Sequence, residues 1–197
     1  MCLLPDQERA AATTLIARHP LAWIISRDFN ASVLPLLAER DAAGDITAVI
    51  GHCSRRNPLV ADFERDPAGL VLFNGPAGYI STRAVSNPDW APTWNYAVLR
   101  LDVEIEWLPE ETSAFVDRLL DHLEGELPDR WSTQMLGARG AQMMSRIIGF
   151  RAHVRRIRPH FKLGQDEAPA TFREIVDSQP DQELVAWMEA FARGEAP

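Results

Sequence analysis

His52, Ser54, Arg55, Arg56 and Asn57 crowd into one stretch, Gly51-His-Cys-Ser-Arg-Arg-Asn-Pro58. Two adjacent guanidinium groups are planar, permanently charged donors whose fork matches a phosphate or a carboxylate. Asn57 is a favoured helix N-cap, and Pro58 suits the first helical position, where a missing N–H costs nothing. A helix entry here offers an anion free backbone N–H groups and the positive end of the dipole. The stretch therefore predicts a phosphate site, with a capped helix and solvated arginines as the competing reading.

Other chemistries find little support. The histidines at 19, 52, 122, 153 and 160 show neither His-x-x-x-His nor Glu-x-x-His spacing, so no metal site is expected. There is no nucleophile elbow and no Walker loop. His52 is the best polar candidate for acid or base work, although a phosphate-facing or core role fits it better. With two cysteines there is no disulfide framework, which suits a reducing cytoplasm, and Cys53 reads as a small buried hydrophobe rather than a reactive thiol. No apolar run is long enough to span a membrane, and the first residues lack the basic region of a secretory signal.

The 197 residues carry a net charge of −8, which argues against a generic nucleic-acid coat. Yet from 130 to 165 there is no Asp or Glu, while Arg130, Arg139, Arg146, Arg151, Arg155, Arg156, Arg158 and Lys162 all fall inside. Such a basic zone on an acidic chain suits a localised anion, an acidic partner surface or a short length of DNA, or else a solvated strand face.

The elements that must position these groups are legible in outline. Residues 6–18 read as a helix capped by Asp6 and stopped by Pro20. Strands at 21–26, 31–37 and 46–53, joined by turns at 27–30 and 41–45, predict an antiparallel meander. A helix follows Asn57. A buried strand at 70–73 is broken at Gly75-Pro76 and resumes at 79–81. Residues 82–93 read as a loop around Trp90. From Trp94 to Trp107 apolar and polar residues alternate with period two, as in a long strand with one buried face. A helix starts at Pro109 and ends at Gly125, an interrupted helix covers 130–146, a strand covers 147–157, and a last amphipathic helix runs over 181–192. Strands and helices do not alternate as βαβ units, so the fold class is α+β, an antiparallel barrel with peripheral helices.

Four segments, 51–58, 73–81, Pro-Thr-Trp-Asn-Tyr-Ala at 92–97 and the run 148–165, resemble the PaiB-type FMN-binding transcriptional regulators in order and spacing. The resemblance covers roughly residues 10–165. It implies the split β-barrel of flavin reductases and pyridoxamine-phosphate oxidases, and a homodimer with FMN in each of two clefts between subunits. Residues 1–165 would then be the FMN-binding domain, and 166–197 a helical extension packing on the barrel or on the dimer partner. The resemblance places His52, Arg55 and Asn57 toward the FMN phosphate and Ser32 beside the isoalloxazine ring. It places Ser81 among the cofactor contacts and Trp94, Asn95 and Tyr96 near the ring or the dimer seam, while Lys162 and Gln165 close the cleft. Three stretches depart from the family pattern. Val33 stands where the family carries a ring-side histidine, Thr82-Arg83-Ala84-Val85 replaces Pro-Ser-Trp-Tyr, and Gly164-Gln165-Asp166-Glu167 replaces Ser-Gln-Asn-Arg. The implied function is a cytoplasmic FMN-binding regulator. The alternatives are a flavin-dependent oxidoreductase using the same cleft, or a flavin-free dimeric scaffold that meets DNA or an acidic partner through 130–165.

Overall fold

In a computed structural model, residues 5–125 and 131–197 are described. Arg130 and Cys2 lie outside the described residues, as does the start of the helix expected from 130. The elements run α1 (Asp6–Arg18), β1 (Leu21–Ser26), β2 (Ala31–Pro35), β3 (Leu37–Arg40), β4 (Ile46–Ser54), α2 (Pro58–Arg65), β5 (Ala68–Ile80), β6 (Thr93–Trp107), α3 (Thr112–Glu124), α4 (Ala138–Met144), β7 (Ile147–Lys162), α5 (Pro169–Ser178) and α6 (Gln182–Ala192). The seven strands form one sheet in the order β2-β1-β5-β6-β7-β4-β3. By contact density the chain forms two units, residues 20–72 with 101–157, and residues up to His19 with 73–100 and 158–197.

The expected meander does not form. β1 and β2 do pair antiparallel, with Leu21 opposite Pro35 and Trp23 opposite Val33. β4, however, pairs with β3 and with β7. Residues 31–37 are not one strand, because Pro35 has no N–H to continue a ladder. The chain turns at the fully buried Leu36, whose N–H donates to the Pro20 carbonyl at 2.8 Å, and departs as β3. Gly51 permits this corner: a Cβ there would lie 2.5 Å from Leu36 Cδ2 and 3.0 Å from the Pro35 carbonyl oxygen. Only a residue without a side chain fits such an approach.

The first unit is built around an apolar interior. Ile24, Leu34, Cys53, Leu59, Phe63, Ile105, Trp107 and Phe150 line a crevice of about 180 Å³, none of it wide enough for a water molecule. On the other face of β4, Ile50 packs with Leu108 and with Phe115 of α3. α2 is tied to the β1–β2 hairpin by the buried Asp62, which accepts from Ser26 Oγ at 2.6 Å and Asn30 Nδ2 at 2.8 Å. Those two bonds, with Arg65 beside it, hold the Asp62 carboxyl below the usual range despite burial.

Burial pushes the Cys53 thiol up to about 11, and the residue is 3% exposed. A thiol reagent at pH 8 should therefore leave Cys53 unmodified in the folded protein, since the thiolate is on the order of a thousandth of the population. A Cys2→Ser variant that labels only after denaturant is added would match this, and labelling of the native protein would contradict it.

In the second unit β5 runs unbroken through Gly75-Pro76, against the expected break. The glycines there serve close packing: a Cβ at Gly75 would sit 3.1 Å from Leu15 Cδ1, and one at Gly78 would sit 2.7 Å from Leu184 Cδ2. Asp6 does not cap α1. Pro5 takes that position and Asp6 lies in the first turn, paired with Arg9. The strand expected over 147–157 continues to Lys162. α5, which the sequence pattern did not reveal, starts at Pro169 and buries only Ile175 and Val176. In α6 the Asp181 carboxylate accepts from the N–H groups of Glu183 and Leu184, and Trp187 is fully buried against Phe161 and Phe191. The loop residue Trp90 is held on its own unit, its indole N–H 3.1 Å from both Glu167 carboxylate oxygens.

Candidate functional site

β4 delivers the chain through Arg55 and Arg56 into α2, as the residue pattern requires. Asn57 is the N-cap: its Oδ1 accepts from the Leu59 N–H at 3.0 Å. Its Nδ2 donates to Ser32 Oγ at 2.9 Å, which brings two of the expected site residues into direct contact. The expectation of free backbone N–H groups at this helix end is overturned. The N–H of Val60 goes to the Asn57 carbonyl, that of Asn57 to the Ser54 carbonyl, that of Arg55 to the Arg146 carbonyl, and that of Arg56 to Ser54 Oγ. The asparagine that announces the cap also closes it, and Pro58 has nothing to donate. What remains for an anion is side-chain chemistry. Arg55 and Arg56 are exposed, Arg55 being steadied by its Nε bond to the Ser145 carbonyl at 3.2 Å.

Asn57→Ala should cost about 1 kcal/mol of stability, the usual price of a lost N-cap. Chemical denaturation read by circular dichroism checks it, and an unchanged midpoint would mean the cap contributes nothing.

His52 lies opposite Gly149 in the β4–β7 register, on the face covered by α3, where a Cβ on Gly149 would meet Phe115 and Thr112 at 2.9 Å. Its Nδ1 is buried without a hydrogen-bond partner. Burial lowers its pKa, so the ring is neutral at neutral pH.

The remaining expected residues belong to the second unit. Ser81 caps a short 3₁₀ turn, accepting from the Arg83 N–H at 3.2 Å. Strand alternation puts Thr93 and Asn95 on one face of β6 and Trp94 and Tyr96 on the other. Asn95 is 2% exposed, its Nδ2 being 3.5 Å from Met188 Sδ of α6. Lys162 Nζ donates to Thr93 Oγ1, so it belongs with the Asn95 face and not with Trp94. Gln165 folds back on its own backbone, accepting from the Leu163 N–H at 2.7 Å and donating to the Phe161 carbonyl at 2.6 Å. Trp94 is open to solvent, and beside it stands Tyr79, a residue the sequence reading did not single out.

Two arginines of the basic stretch, Arg151 and Arg155, are engaged by carboxylates. Arg151 Nε donates to Glu39 at 2.6 Å and Arg118 Nη1 donates to the same carboxylate at 2.7 Å. Burial alone would raise the Glu39 pKa, but these two guanidinium groups outweigh it and hold the carboxyl low. Arg155 pairs with Glu104, and His153 lies 2.7 Å from Glu106. Among the described residues, no cluster of three or more His, Cys, Asp or Glu side chains could hold a metal ion, and no helix is long and apolar enough to cross a membrane.

Compared with known proteins, residues 5–156 match the family model described as "Putative FMN-binding domain". The chain belongs to that family. FMN is the cofactor of the family's domain. Among curated relatives, the protease synthase and sporulation protein PAI 2 of Bacillus subtilis (strain 168) is 27% identical over 141 residues, covering 68% of this chain. The matched stretch spans 66% of that relative's length, just under two thirds. Among solved structures, the FAD and heme binding protein of Mycobacterium smegmatis superposes with a TM-score of 0.58 at 16% identity, covering 92% of this chain and 78% of that one. The flavocytochrome Anf3 of Azotobacter vinelandii gives a TM-score of 0.58 at 15% identity, over 79% and 67%. These likenesses establish the fold as the antiparallel split β-barrel with peripheral helices expected from the sequence.

The donor set suits the anionic part of FMN. Two exposed guanidinium groups stand on consecutive residues, with the Ser54 hydroxyl beside them, and a phosphate dianion calls for this kind of charge-assisted donor. His52 Nδ1 is a further polar atom left without a protein partner in the same unit.

Proposed function

We propose that the protein is a homodimeric, FMN-binding regulator of the cytoplasm, carrying the flavin at a cleft between subunits. The observation that carries the reading is the family match over residues 5–156, and the paired arginines at its β4–α2 junction give that match a chemical counterpart. Arg55 and Arg56 hold the phosphate by charge-assisted hydrogen bonds. Asn57 and Ser32 keep the junction in shape, while His52 in the same unit and Ser81, Trp94, Asn95, Tyr96, Lys162 and Gln165 in the second unit are the further cofactor-contact candidates that the family resemblance implies. A bound flavin supplies one- or two-electron redox chemistry, and the protein supplies position and electrostatics. His52 is neutral and partly buried, which favours a structural or hydrogen-bonding role over proton transfer. Regulation rather than turnover is the reading favoured by the name of the sporulation relative. Direct contact with DNA or an acidic partner through 130–165 is the least supported element, because Arg151 and Arg155 already donate to carboxylates.

The test is whether the purified dimer retains flavin after exhaustive dialysis, read by visible absorption. Retention of FMN supports the proposal, and a colourless protein that cannot be reloaded overturns it. NAD(P)H oxidation by the loaded protein would favour the oxidoreductase reading. A salt-dependent shift of promoter DNA, lost in an Arg155→Ala/Arg156→Ala variant, would support direct DNA contact.

A further inference from the structure

An antiparallel hairpin ordinarily turns an apolar face to the core and a polar one to water. The β1–β2 hairpin of the first unit does not. Residues opposite each other share a face, and the register sets Leu21 against Pro35, Trp23 against Val33 and Ile25 against Ala31. All six are apolar, and alternation puts them on the face turned away from the buried Ala22 and Ile24. Leu21 is 59% exposed, Trp23 44% and Val33 38%. Ala31 is exposed as well, and Ile25 and Pro35 are half-buried. At the hairpin tip Phe29 is 88% exposed and holds φ at +64°, a left-handed conformation that glycine or asparagine adopts more readily. Neither the strain nor the exposed apolar area favours the isolated chain. The turn is nevertheless held fast. Asp62 of α2 accepts from Ser26 and Asn30 on either side of it, Arg65 pairs with Asp28, and Arg27 Nε lies 3.3 Å from Asp66. Both charges of the turn, Arg27 and Asp28, are thus matched, and the outward face is left apolar, neutral and preorganised.

We propose that the outward face of the β1–β2 hairpin, with Phe29 at its tip, is the surface on which a second copy of this chain docks. This rests on the homodimer of the reading above and deepens it by giving the dimer a surface. The occupant follows from charge. Each copy carries a net charge of −8, so two copies repel wherever acidic side chains meet, and least where charges are absent or already paired. The same uncharged, apolar face on both copies is self-complementary, as a two-fold contact requires. A stable interface covers about 800 Å² per partner around an apolar centre, and the hairpin face furnishes that centre. The rival occupant is a lipid surface.

The experiment follows the full chain by analytical ultracentrifugation over a concentration series, as wild type, Trp23→Ser, Val33→Glu and Phe29→Asn. Leu123→Glu, at an exposed apolar residue of α3 in the same unit, is the control. The substituted side chains are exposed, so their removal opens no core cavity, and cooperative thermal melting confirms that each variant folds. Wild type should sediment as a dimer at micromolar concentration. Trp23→Ser should weaken association by roughly thirtyfold, the scale of an aromatic hot spot. Val33→Glu should weaken it at least as much, because it buries an unpaired carboxylate from each copy. Phe29→Asn should weaken association while leaving the melting temperature of the dilute monomer unchanged or higher, since asparagine relieves the left-handed strain. Leu123→Glu should leave association unchanged. Undiminished dimerisation in all three hairpin variants overturns the proposal while the dimer reading stands. Equal weakening by Leu123→Glu also overturns it, because added charge alone then accounts for the loss. A wild type that stays monomeric overturns both, and binding of that monomer to phosphatidylcholine vesicles would assign the face to lipid.

Discussion

Phe150→Ala should lower the unfolding free energy by about 3–5 kcal/mol, the range for deleting a large buried aromatic ring. Phe150 is 1% exposed and meets Trp107 edge-on, with centroids 5.6 Å apart. It also borders the narrow crevice lined by Cys53, Leu59 and Phe63. Removing the ring leaves a cavity, and strands β4 and β7, hydrogen-bonded from Ala48 opposite His153 to Ser54 opposite Ile147, cannot collapse to fill it. The loss combines the transfer term and a cavity term. Urea unfolding of the variant against Arg156→Ala, an exposed control, measures it. A loss below about 1 kcal/mol would show that the interior of the first unit is not close-packed around this ring.

Arg55→Ala/Arg56→Ala should weaken FMN about a hundredfold while leaving riboflavin within about twofold. Hydrogen bonds to charged groups contribute about 1.5–3 kcal/mol each, and about 2.7 kcal/mol corresponds to a hundredfold. The contrast between the two flavins is the informative part, because they share the ring and differ only in the phosphate. The structure sharpens this prediction: with the α2 entrance closed by Asn57, backbone donors cannot substitute for the lost guanidinium groups. The wild-type preference for FMN should also shrink as salt rises, since exposed charges are screened. Equal losses for both flavins would mean that the arginines act through the fold and not through the phosphate. Isothermal titration of the two ligands against both proteins decides it.

Much of this architecture was legible in the residue pattern, for physical reasons. The alternation from Ala97 to Trp107 had one solution, a strand with a buried face, and Ala97, Leu99, Leu101, Val103 and Ile105 are all buried. Asn57-Pro58 marked the start of α2 because few other residue pairs satisfy that position. Reading failed where tertiary packing overrode local signals. Gly75-Pro76 looks like a turn, but in β5 the glycine makes room for Leu15. The 31–37 run looks continuous, but Pro35 and the buried Leu36 turn it between two pairings. The basic run lacks acids of its own because they come from other elements: Glu39 from β3, Glu104 and Glu106 from β6. Sequence proximity likewise grouped Trp94 with Asn95, which strand alternation separates onto opposite faces. Tyr79 was hidden because its ring partner Trp94 lies on the neighbouring strand, far away in sequence.

The most direct test of the account is equilibrium dialysis of the purified protein against FMN, with the bound flavin counted per chain. The account predicts about one FMN retained per chain and a weaker hold on riboflavin, which lacks the phosphate that the paired arginines meet. A protein that folds, melts cooperatively and retains no flavin at saturating concentration would contradict it.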